Sequence, residues 1–265
     1  MKRILTMGDL HSGHLFGLTP PRWQLKPRDV QGRRKREKAE AFQRESWNWY
    51  SRRVTALGPY DLVVVNGDCI DGTGLRSGGT ELLTTDRIEQ CTIAEACIQR
   101  AMGKGCKLVM TYGTPYHVSS DGEDWEDVIA GNLNADKIGS HEWITTEGVT
   151  FDVKHKIGSS QTPQGRATAG AKEDNWNALW AEEDLAPRGD IFIRSHVHYC
   201  EGSFTPSRVR ITLPALQGMG SKFGSRQCSG IVHFGFVVWE VHRGTWDWHI
   251  ECAKLQAQKA KAYKL

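Results

Sequence analysis

Four short polar clusters constrain the fold of this chain more than any other feature, because three of them directly follow an apolar segment with strand character. The longest apolar run, Leu62 to Val65, suits a parallel strand that is covered on both faces. In open α/β sheets, the loops at the carboxyl ends of parallel strands converge at the ligand site. We therefore expect four clusters to meet at one edge: Gly8-Asp9-Leu10-His11, Asn66-Gly67-Asp68-Cys69-Ile70-Asp71, Tyr112-Gly113-Thr114-Pro115-Tyr116-His117 and Ser195-His196-Val197-His198.

The order of the predicted elements indicates the fold class. Strand and helix alternate in the first half, with strands over 2–7, 61–66 and 106–112 and helices over 33–57, 85–102 and 123–132. A further helix is predicted over 173–185, and the rest of the second half is richer in strands. This order is typical of an α/β layered sandwich with two mixed sheets. No internal repeat or long linker divides the chain, so we interpret residues 1–265 as one domain with a basic tail from about residue 253.

Composition excludes several classes of protein. No apolar run approaches the roughly 18–20 residues that a membrane span needs, and the start of the chain lacks a signal-peptide pattern, so we expect a cytoplasmic protein, in the host cytoplasm if it is phage-encoded. The seven cysteines form no C-x-x-C pair, which argues against zinc fingers and redox pairs. Ten histidines are the unusual number, since histidine is a frequent metal ligand at neutral pH.

The total charge conceals an uneven distribution. The chain carries 34 Lys and Arg against 31 Asp and Glu, a formal charge of +3. The basic segment, residues 22–38, contains eight basic and two acidic residues, and the tail after Glu251 adds four lysines without an acid, so the remaining chain is near −7. Because the basic segment follows the first polar cluster, we predict that it contacts phosphate groups of a substrate, whereas the tail is interpreted as solvated.

The polar clusters combine carboxylates and imidazoles, a pattern that favours metal binding. Carboxylates packed closely repel one another, and divalent cations are the usual remedy. Asp-x-His and His-x-His place two side chains on the same side of an extended segment, so that each pair can chelate one ion. A donor set of His and Asp without thiolate fits Mn, Fe, Zn, Ni or Co better than an all-oxygen Ca or Mg site.

In order and spacing, these clusters resemble the calcineurin-like metallophosphoesterases, which carry D-x-H, G-D-x-x-D, G-N-H-D/E, a single His and G-H-x-H in that order. Asp9-Leu10-His11 and Gly67-Asp68-Cys69-Ile70-Asp71 match the first two blocks, and Ser195-His196-Val197-His198 matches the last except for its serine. His155, at the end of a predicted strand, stands where the family has its single His. In the third block, Gly113-Thr114-Pro115-Tyr116-His117 lacks the metal-binding Asn, and its His comes two positions late.

The resemblance implies a four-layer αββα sandwich and a dinuclear metal centre whose bridging hydroxide attacks phosphorus in line. We expect manganese, with iron, zinc, nickel or cobalt as alternatives. By this resemblance the first ion is held by Asp9, His11, Asp68 and His198. The second is held by Asp68 as the bridge, His155 and His196, and Thr114 is a candidate for the oxygen that the missing Asn would supply.

Two further residues of the clusters take roles from the same resemblance. His117 is the candidate to protonate the leaving alkoxide or to stabilise the equatorial phosphoryl oxygens, and Asp71 would orient a ligand histidine from behind. The glycine-rich segment Gly158 to Lys172 follows His155 and is predicted to be a loop that forms one wall of the cleft. Within it, Arg166 and Lys172 are candidate phosphate contacts, although no motif marks them.

Three readings of the function stay open. The basic segment favours a phosphodiesterase that acts on nucleic acid or a nucleotide, and the D-R-G continuation of protein phosphatases is missing, because Gly72-Thr73 follows Asp71. A small-molecule phosphomonoesterase is the alternative within the same class. A binding protein with a degenerate site is the alternative from another class, and a protein partner or homo-oligomer is compatible with each reading.

Overall fold

The computed structural model describes residues 1–118, 122–160, 162–221, 230–259 and 262–263, without the side chain of Arg76. Lys261 and Lys264 of the predicted basic tail and Gln161 of the predicted loop lie outside the described residues. The helices are α1 Pro27–Val30, α2 Arg34–Leu57, α3 Arg87–Gln99, α4 Pro115–Val118, α5 Trp125–Asn132 and α6 Arg166–Glu182. The strands are β1 Lys2–Met7, β2 Leu62–Asn66, β3 Lys107–Thr111, β4 Lys137–Gly139, β5 Glu142–Thr146, β6 Val149–Val153, β7 Ile191–Arg194, β8 Glu201–Thr205, β9 Arg208–Thr212, β10 Phe234–His242 and β11 Thr245–Ala253.

The described strands form two mixed sheets, as the sequence predicts. The first has the order β11-β10-β1-β2-β3-β4, in which β1 to β4 are parallel and β10 and β11 are antiparallel to their neighbours. The second has the order β5-β6-β7-β9-β8, with a parallel centre, β6-β7-β9, and antiparallel edges. The carboxyl ends of β1, β2 and β3 in one sheet and of β6 and β7 in the other precede the metal-ligand candidates.

Alternating side chains of the central strands build two apolar cores. Leu5 of β1 and Val63 of β2 belong to a core with buried residues of α2, α3 and α5, among them Phe42. Ile4 and Val64 point the other way, toward the second sheet, so β2 is buried on both faces, as its apolar run predicts. Because α6 packs on the outer side of β7, β8 and β9, the layers run helix, sheet, sheet, helix. This is the αββα arrangement that the resemblance implies.

Most predicted elements are confirmed within a few residues, and the segment before Lys172 is the clear exception. Asp86 caps α3, since its side chain accepts hydrogen bonds from the backbone N–H groups of Ile88 at 2.9 Å and Glu89 at 3.4 Å. The loop predicted over 158–172 is wrong for its second half, because α6 begins at Arg166 rather than near 173. Gly170 suggests a loop in the sequence, but here it allows close packing, since a Cβ on it would lie 3.3 Å from Cβ of Arg210 on β9. Among the described residues, no helix combines the length and apolar composition that crossing a membrane requires.

Candidate metal centre

One group of three ligand atoms lies where the loops after β1 and β7 meet. Asp9 Oδ1 is 3.2 Å from Nε2 of His198, and His11 Nε2 is also 3.2 Å from that nitrogen. His11 Nε2 lies 3.9 Å from both Asp9 Oδ1 and Asp68 Oδ2. Asp9 and His11 come from the first sheet and His198 from the second. The structure therefore brings together the four residues assigned to the first ion.

A second group lies beside the first and includes the threonine of the altered block. His155 Nε2 is 3.1 Å from Asp68 Oδ2, and these atoms form a second cluster with His196. Thr114 Oγ1 donates to Asp68 Oδ2 at 3.1 Å and lies 3.4 Å from His155 Nε2 and 3.1 Å from His196 Nδ1. The hydroxyl of Thr114 thus lies among all three side chains assigned to the second ion, and Asp68 lies between the two groups.

Hydrogen bonds behind two of the histidines fix their orientation. His11 Nδ1 lies 2.9 Å from Oδ1 of Asp71, and His155 Nδ1 lies 2.7 Å from the carbonyl oxygen of Asn66. Since both partners are acceptors, Nδ1 keeps its proton when the imidazole is neutral, as it would be when bound to a metal. The Nε2 lone pairs are then directed into the cluster, as metal ligation requires.

The donor set fits a divalent cation. Asp9 Oδ1 is fully buried and accepts no hydrogen bond of acceptable geometry, and the Nε2 atoms of His11 and His198 face each other. A buried acceptor without a donor is costly, and a bound cation would satisfy it. Burial alone would lower the pKa of His155, but the Asp68 carboxylate raises it to about 10. Without metal, an imidazole proton supplies the positive charge that the carboxylates need.

The ligand loops adopt an uncommon backbone conformation. Residues with side chains rarely occupy the left-handed region, and each costs of the order of 1–3 kcal/mol there, so the conformation persists only where surrounding contacts compensate for the strain. The surrounding contacts are direct: the backbone N–H of Asp9 donates to the Gly67 carbonyl at 3.0 Å, and that of His196 donates to Asp9 Oδ2 at 3.1 Å. Five assigned ligands have positive φ: Asp9 at 51°, His11 at 44°, Asp68 at 51°, His196 at 72° and His198 at 55°.

Two glycines permit the close approach of the loops after β2 and β3. Gly67 has φ +72°, and a Cβ on it would lie 2.5 Å from His155 Nδ1. A Cβ on Gly113 would lie only 2.2 Å from the backbone nitrogen of Asp68. Both distances are shorter than any real Cβ contact, so a larger residue at either position would push Thr114 or His155 away from Asp68.

Asn66 and Ser195 join the two sheets beneath the cluster. Asn66 Nδ2 donates to Ser195 Oγ at 2.8 Å and to the Lys154 carbonyl at 3.2 Å, while its Oδ1 accepts from Thr111 Oγ1 at 2.6 Å. Ser195, which replaces the glycine of the family pattern, thus accepts a hydrogen bond that a glycine would not. Sequence analysis missed this role for Asn66, although a polar residue that ends an apolar strand is a visible signal.

Two buried side chains of the helical layer hold the same loops. On α5, Glu126 accepts hydrogen bonds from the backbone N–H groups of Cys69 at 2.9 Å and Gly113 at 2.5 Å. Burial, the larger cause, and the negative charge of Asp68 raise the pKa of Glu126 to about 7. On α3, Gln90 Oε1 accepts from the backbone N–H groups of Asp71 at 3.2 Å and Gly72 at 2.9 Å. Sequence analysis missed both residues, and their only signal is a polar residue on the apolar face of a helix.

His117 lies at the edge of the cluster. Its ring meets His11 edge-on with the centroids 4.7 Å apart, and its Nδ1 lies 3.1 Å from the carbonyl oxygen of Asp71. Burial, the larger cause, and the positive charge of a protonated His11 lower the pKa of His117. The side chain is about one fifth exposed. His117 thus contacts both the cluster and the solvent.

Neither predicted phosphate contact lies in the cluster. The Arg166 guanidinium carbon is 4.1 Å from the centre of the Tyr199 ring, and Tyr199 follows His198 in the chain. Lys172 is exposed on α6. Among the described residues, no hydrogen bond or ion pair joins either side chain to the assigned metal ligands.

The basic segment packs next to the loop that follows His11. Lys35, on the first turn of α2, forms an ion pair with the buried side chain of Glu81. The carbonyl oxygen of Glu81 accepts from the backbone N–H of Leu15 at 2.8 Å. Arg33 and Arg34 are exposed beside this contact. Part of the segment's positive charge therefore lies beside the loop that carries the first ligands.

In its motifs and its two-sheet fold, the chain resembles the calcineurin-like metallophosphoesterases. No family model and no curated protein matches it. Among solved structures, it is similar to a single-substitution variant of Vps29 from Entamoeba histolytica, with 12% identity and a TM-score of 0.45 over 95% of this chain and 99% of that chain. Vps29 from Chaetomium thermophilum has 11% identity and a TM-score of 0.45 over 96% and 97%.

A structure described as a novel archaeal phosphodiesterase has 12% identity and a TM-score of 0.40 over 94% of this chain and 99% of that chain. Identities and scores this low say nothing about activity.

Proposed function

We propose that this protein is a dinuclear, metal-dependent phosphodiesterase. One observation carries the proposal: two groups of ligand atoms, Asp9 with His11 and His198 and Asp68 with His155 and His196, lie side by side where the loops of the two sheets meet. Asp68 Oδ2 is 3.1 Å from a histidine of one group and 3.9 Å from a histidine of the other, as a bridging ligand would be. Two bound divalent ions would supply Lewis acidity for the phosphoryl oxygens and for a water nucleophile.

The remaining side chains have roles of their own in the proposal. Thr114 offers a neutral oxygen to the second ion, because its hydroxyl lies within 3.4 Å of the ligand atoms of Asp68, His155 and His196. Asp71 holds His11 through Nδ1. His117, at the partly exposed edge of the cluster, is the candidate to donate a proton to the leaving alkoxide or to stabilise the equatorial oxygens of the phosphoryl group. Either role needs the imidazolium form, which the negative charge of a bound phosphate would favour.

We favour nucleic acid or a nucleotide as the substrate because of the basic segment. The contact of Lys35 with Glu81 keeps this segment next to the loop after His11, where its exposed arginines can meet phosphates beyond the one that is cleaved. Charge reversal at Arg34 should therefore lower cleavage of short DNA and reduce its salt dependence. Hydrolysis of bis-p-nitrophenyl phosphate, which has one phosphate, should not change.

An activity panel tests the proposal. EDTA-treated protein reconstituted with Mn, Ni, Zn or Mg is assayed on bis-p-nitrophenyl phosphate, its monoester, cyclic nucleotides and short DNA. We expect the diester to be hydrolysed faster than the monoester. Asp68→Asn and His196→Ala should abolish hydrolysis, whereas His249→Ala, at an exposed histidine on β11, should leave it unchanged.

The other outcomes of this panel distinguish the alternatives. Faster hydrolysis of the monoester than of the diester, together with no cleavage of DNA above the background without substrate, would identify a small-molecule phosphatase. Fewer than one ion per chain, together with no hydrolysis of any ester, would refute an enzymatic function and leave a binding protein.

A further inference from the structure

Glu126 connects the two loops that form the second ion position. Its carboxylate is fully buried, and its two oxygens accept from different loops: Oε1 from the backbone N–H of Cys69 at 2.9 Å and Oε2 from that of Gly113 at 2.5 Å. Cys69 directly follows Asp68, and Gly113 directly precedes Thr114. The one carboxylate therefore holds the backbone on both sides of the Asp68–Thr114 contact.

That contact depends on an unusually short distance between the loops. The backbone N–H of Thr114 donates to Asp68 Oδ1 at 2.6 Å while its hydroxyl donates to Oδ2. A threonine side chain is shorter than the asparagine that the family pattern has in this block, so the loop after β3 must lie closer to Asp68 for Thr114 Oγ1 to reach the ion. The lack of room for a Cβ at Gly113 shows how closely the loop after β3 approaches the loop of Asp68.

We propose that Glu126 is a positioning residue that draws the β3 loop against the Asp68 loop, so that the shorter threonine can complete the second metal site. The proposal rests on the proposed function for its chemistry, but it concerns metal affinity and is tested without turnover. Glu126 belongs to neither group of ligand atoms. Its effect is expected at the second position, because the first is completed by His11 and His198, which Glu126 does not contact among the described hydrogen bonds.

Selective loss of one ion is the readout. Mn²⁺ is titrated calorimetrically into EDTA-treated full-length protein, and formation of the exchange-coupled pair is followed by electron paramagnetic resonance. Glu126→Gln keeps the shape but presents an N–H₂ group to one of the two N–H donors. We expect it to weaken the second ion by about 10–100-fold, the range for loss of a group that orients a ligand, with little change in the first. Glu123→Gln, at an exposed residue just before α5, is the matched control.

A second comparison separates positioning from general stability. If Glu126 acts through Thr114, Glu126→Gln and Thr114→Val should be strongly non-additive in the affinity for the second ion. Glu126→Asp keeps the charge but is too short to span both amides, so it should show the same selective loss even if the Gln variant does not fold.

Wild-type affinity for both ions in Glu126→Gln, equal weakening of both ions, or additive losses in the double variant would overturn the proposal. If wild-type protein binds two ions but hydrolyses no ester, the proposed function fails and the role of Glu126 is still decided by these titrations.

Discussion

Replacing Thr114 by valine tests the most unusual feature of the site. Valine has the shape of threonine but lacks the hydroxyl that donates to Asp68 Oδ2 at 3.1 Å. The backbone hydrogen bond from residue 114 to Asp68 Oδ1 does not involve the side chain, so the loop should keep its place. The variant therefore removes one oxygen from the second ion position without removing the loop that carries it.

The size of the effect follows from the proposed contact of the hydroxyl oxygen with the ion, which we take to be comparable in strength to a hydrogen bond with a charged group. A hydrogen bond to a charged group contributes about 1.5–3 kcal/mol, and each 1.4 kcal/mol corresponds to a tenfold change in affinity. We expect Thr114→Val to weaken binding of the second Mn²⁺ by about 10–150-fold and to leave the first ion unchanged. Phosphodiester hydrolysis should fall at low Mn²⁺ and recover as the Mn²⁺ concentration rises.

Calorimetric titration of EDTA-treated protein measures both affinities, and elemental analysis after gel filtration gives the number of ions per chain. Thr114→Ser keeps the hydroxyl and should behave like the wild type. Two Mn²⁺ ions bound to Thr114→Val with unchanged affinities would refute the reasoning, because the hydroxyl would then contribute nothing to the second site.

Three further predictions concern catalysis, packing and pH. His117→Ala should lower kcat by about 10²–10⁴-fold, the range for a lost general acid, with two ions still bound; release of an ion would contradict the assigned role. Trp239→Ala should lower the free energy of unfolding in EDTA by about 3–5 kcal/mol, because this fully buried indole packs between the sheets and donates a hydrogen bond to Thr6. Urea unfolding measures this free energy, and Trp176→Ala, at an exposed tryptophan, is the control. Burial alone would raise the pKa of Asp71, but His11 and the neighbouring imidazoles lower it to about 2, below the unfolded value of about 3.9. This carboxylate therefore stabilises the fold above pH 4 by about 2–3 kcal/mol, and the contribution is lost as pH falls from 4 to 2. In EDTA, the free energy of unfolding of Asp71→Asn should fall less steeply with decreasing pH than that of the wild type, and equal slopes would contradict the prediction.

The layered fold was predictable because its strongest signals are local. The apolar run of β2 and the Asp86 cap of α3 are properties of a few adjacent residues, and tertiary packing agrees with both. The start of α6 was not predictable, since Gly170 favours a loop in isolation and becomes acceptable in a helix only where it packs against Arg210. Tertiary contacts decided that boundary.

The assigned ligands lie close together in the structure, but the groups that hold them have weaker signals in the sequence. Asp9 and Asp68 belong to short motifs in which spacing carries the information. Glu126 and Asn66 act on backbone groups of loops that are distant in sequence, so no spacing marks them. Arg166 is a candidate phosphate contact only if its segment is a loop, but in the structure it begins α6 and its guanidinium lies over the ring of Tyr199.

Each group of ligands draws on both sheets: Asp9 and His11 face His198, and Asp68 faces His155 and His196. A bound ion is therefore a cross-link between the sheets, and the sheets cannot separate at this edge without releasing it. At a free concentration of 100 times its Kd, each independent ion adds about 2.7 kcal/mol to the free energy of unfolding. Each bound ion should make local opening of this edge less frequent and so slow amide hydrogen exchange in β2 and β7. The occupancy of the site thereby sets how tightly the two halves of the sandwich are closed.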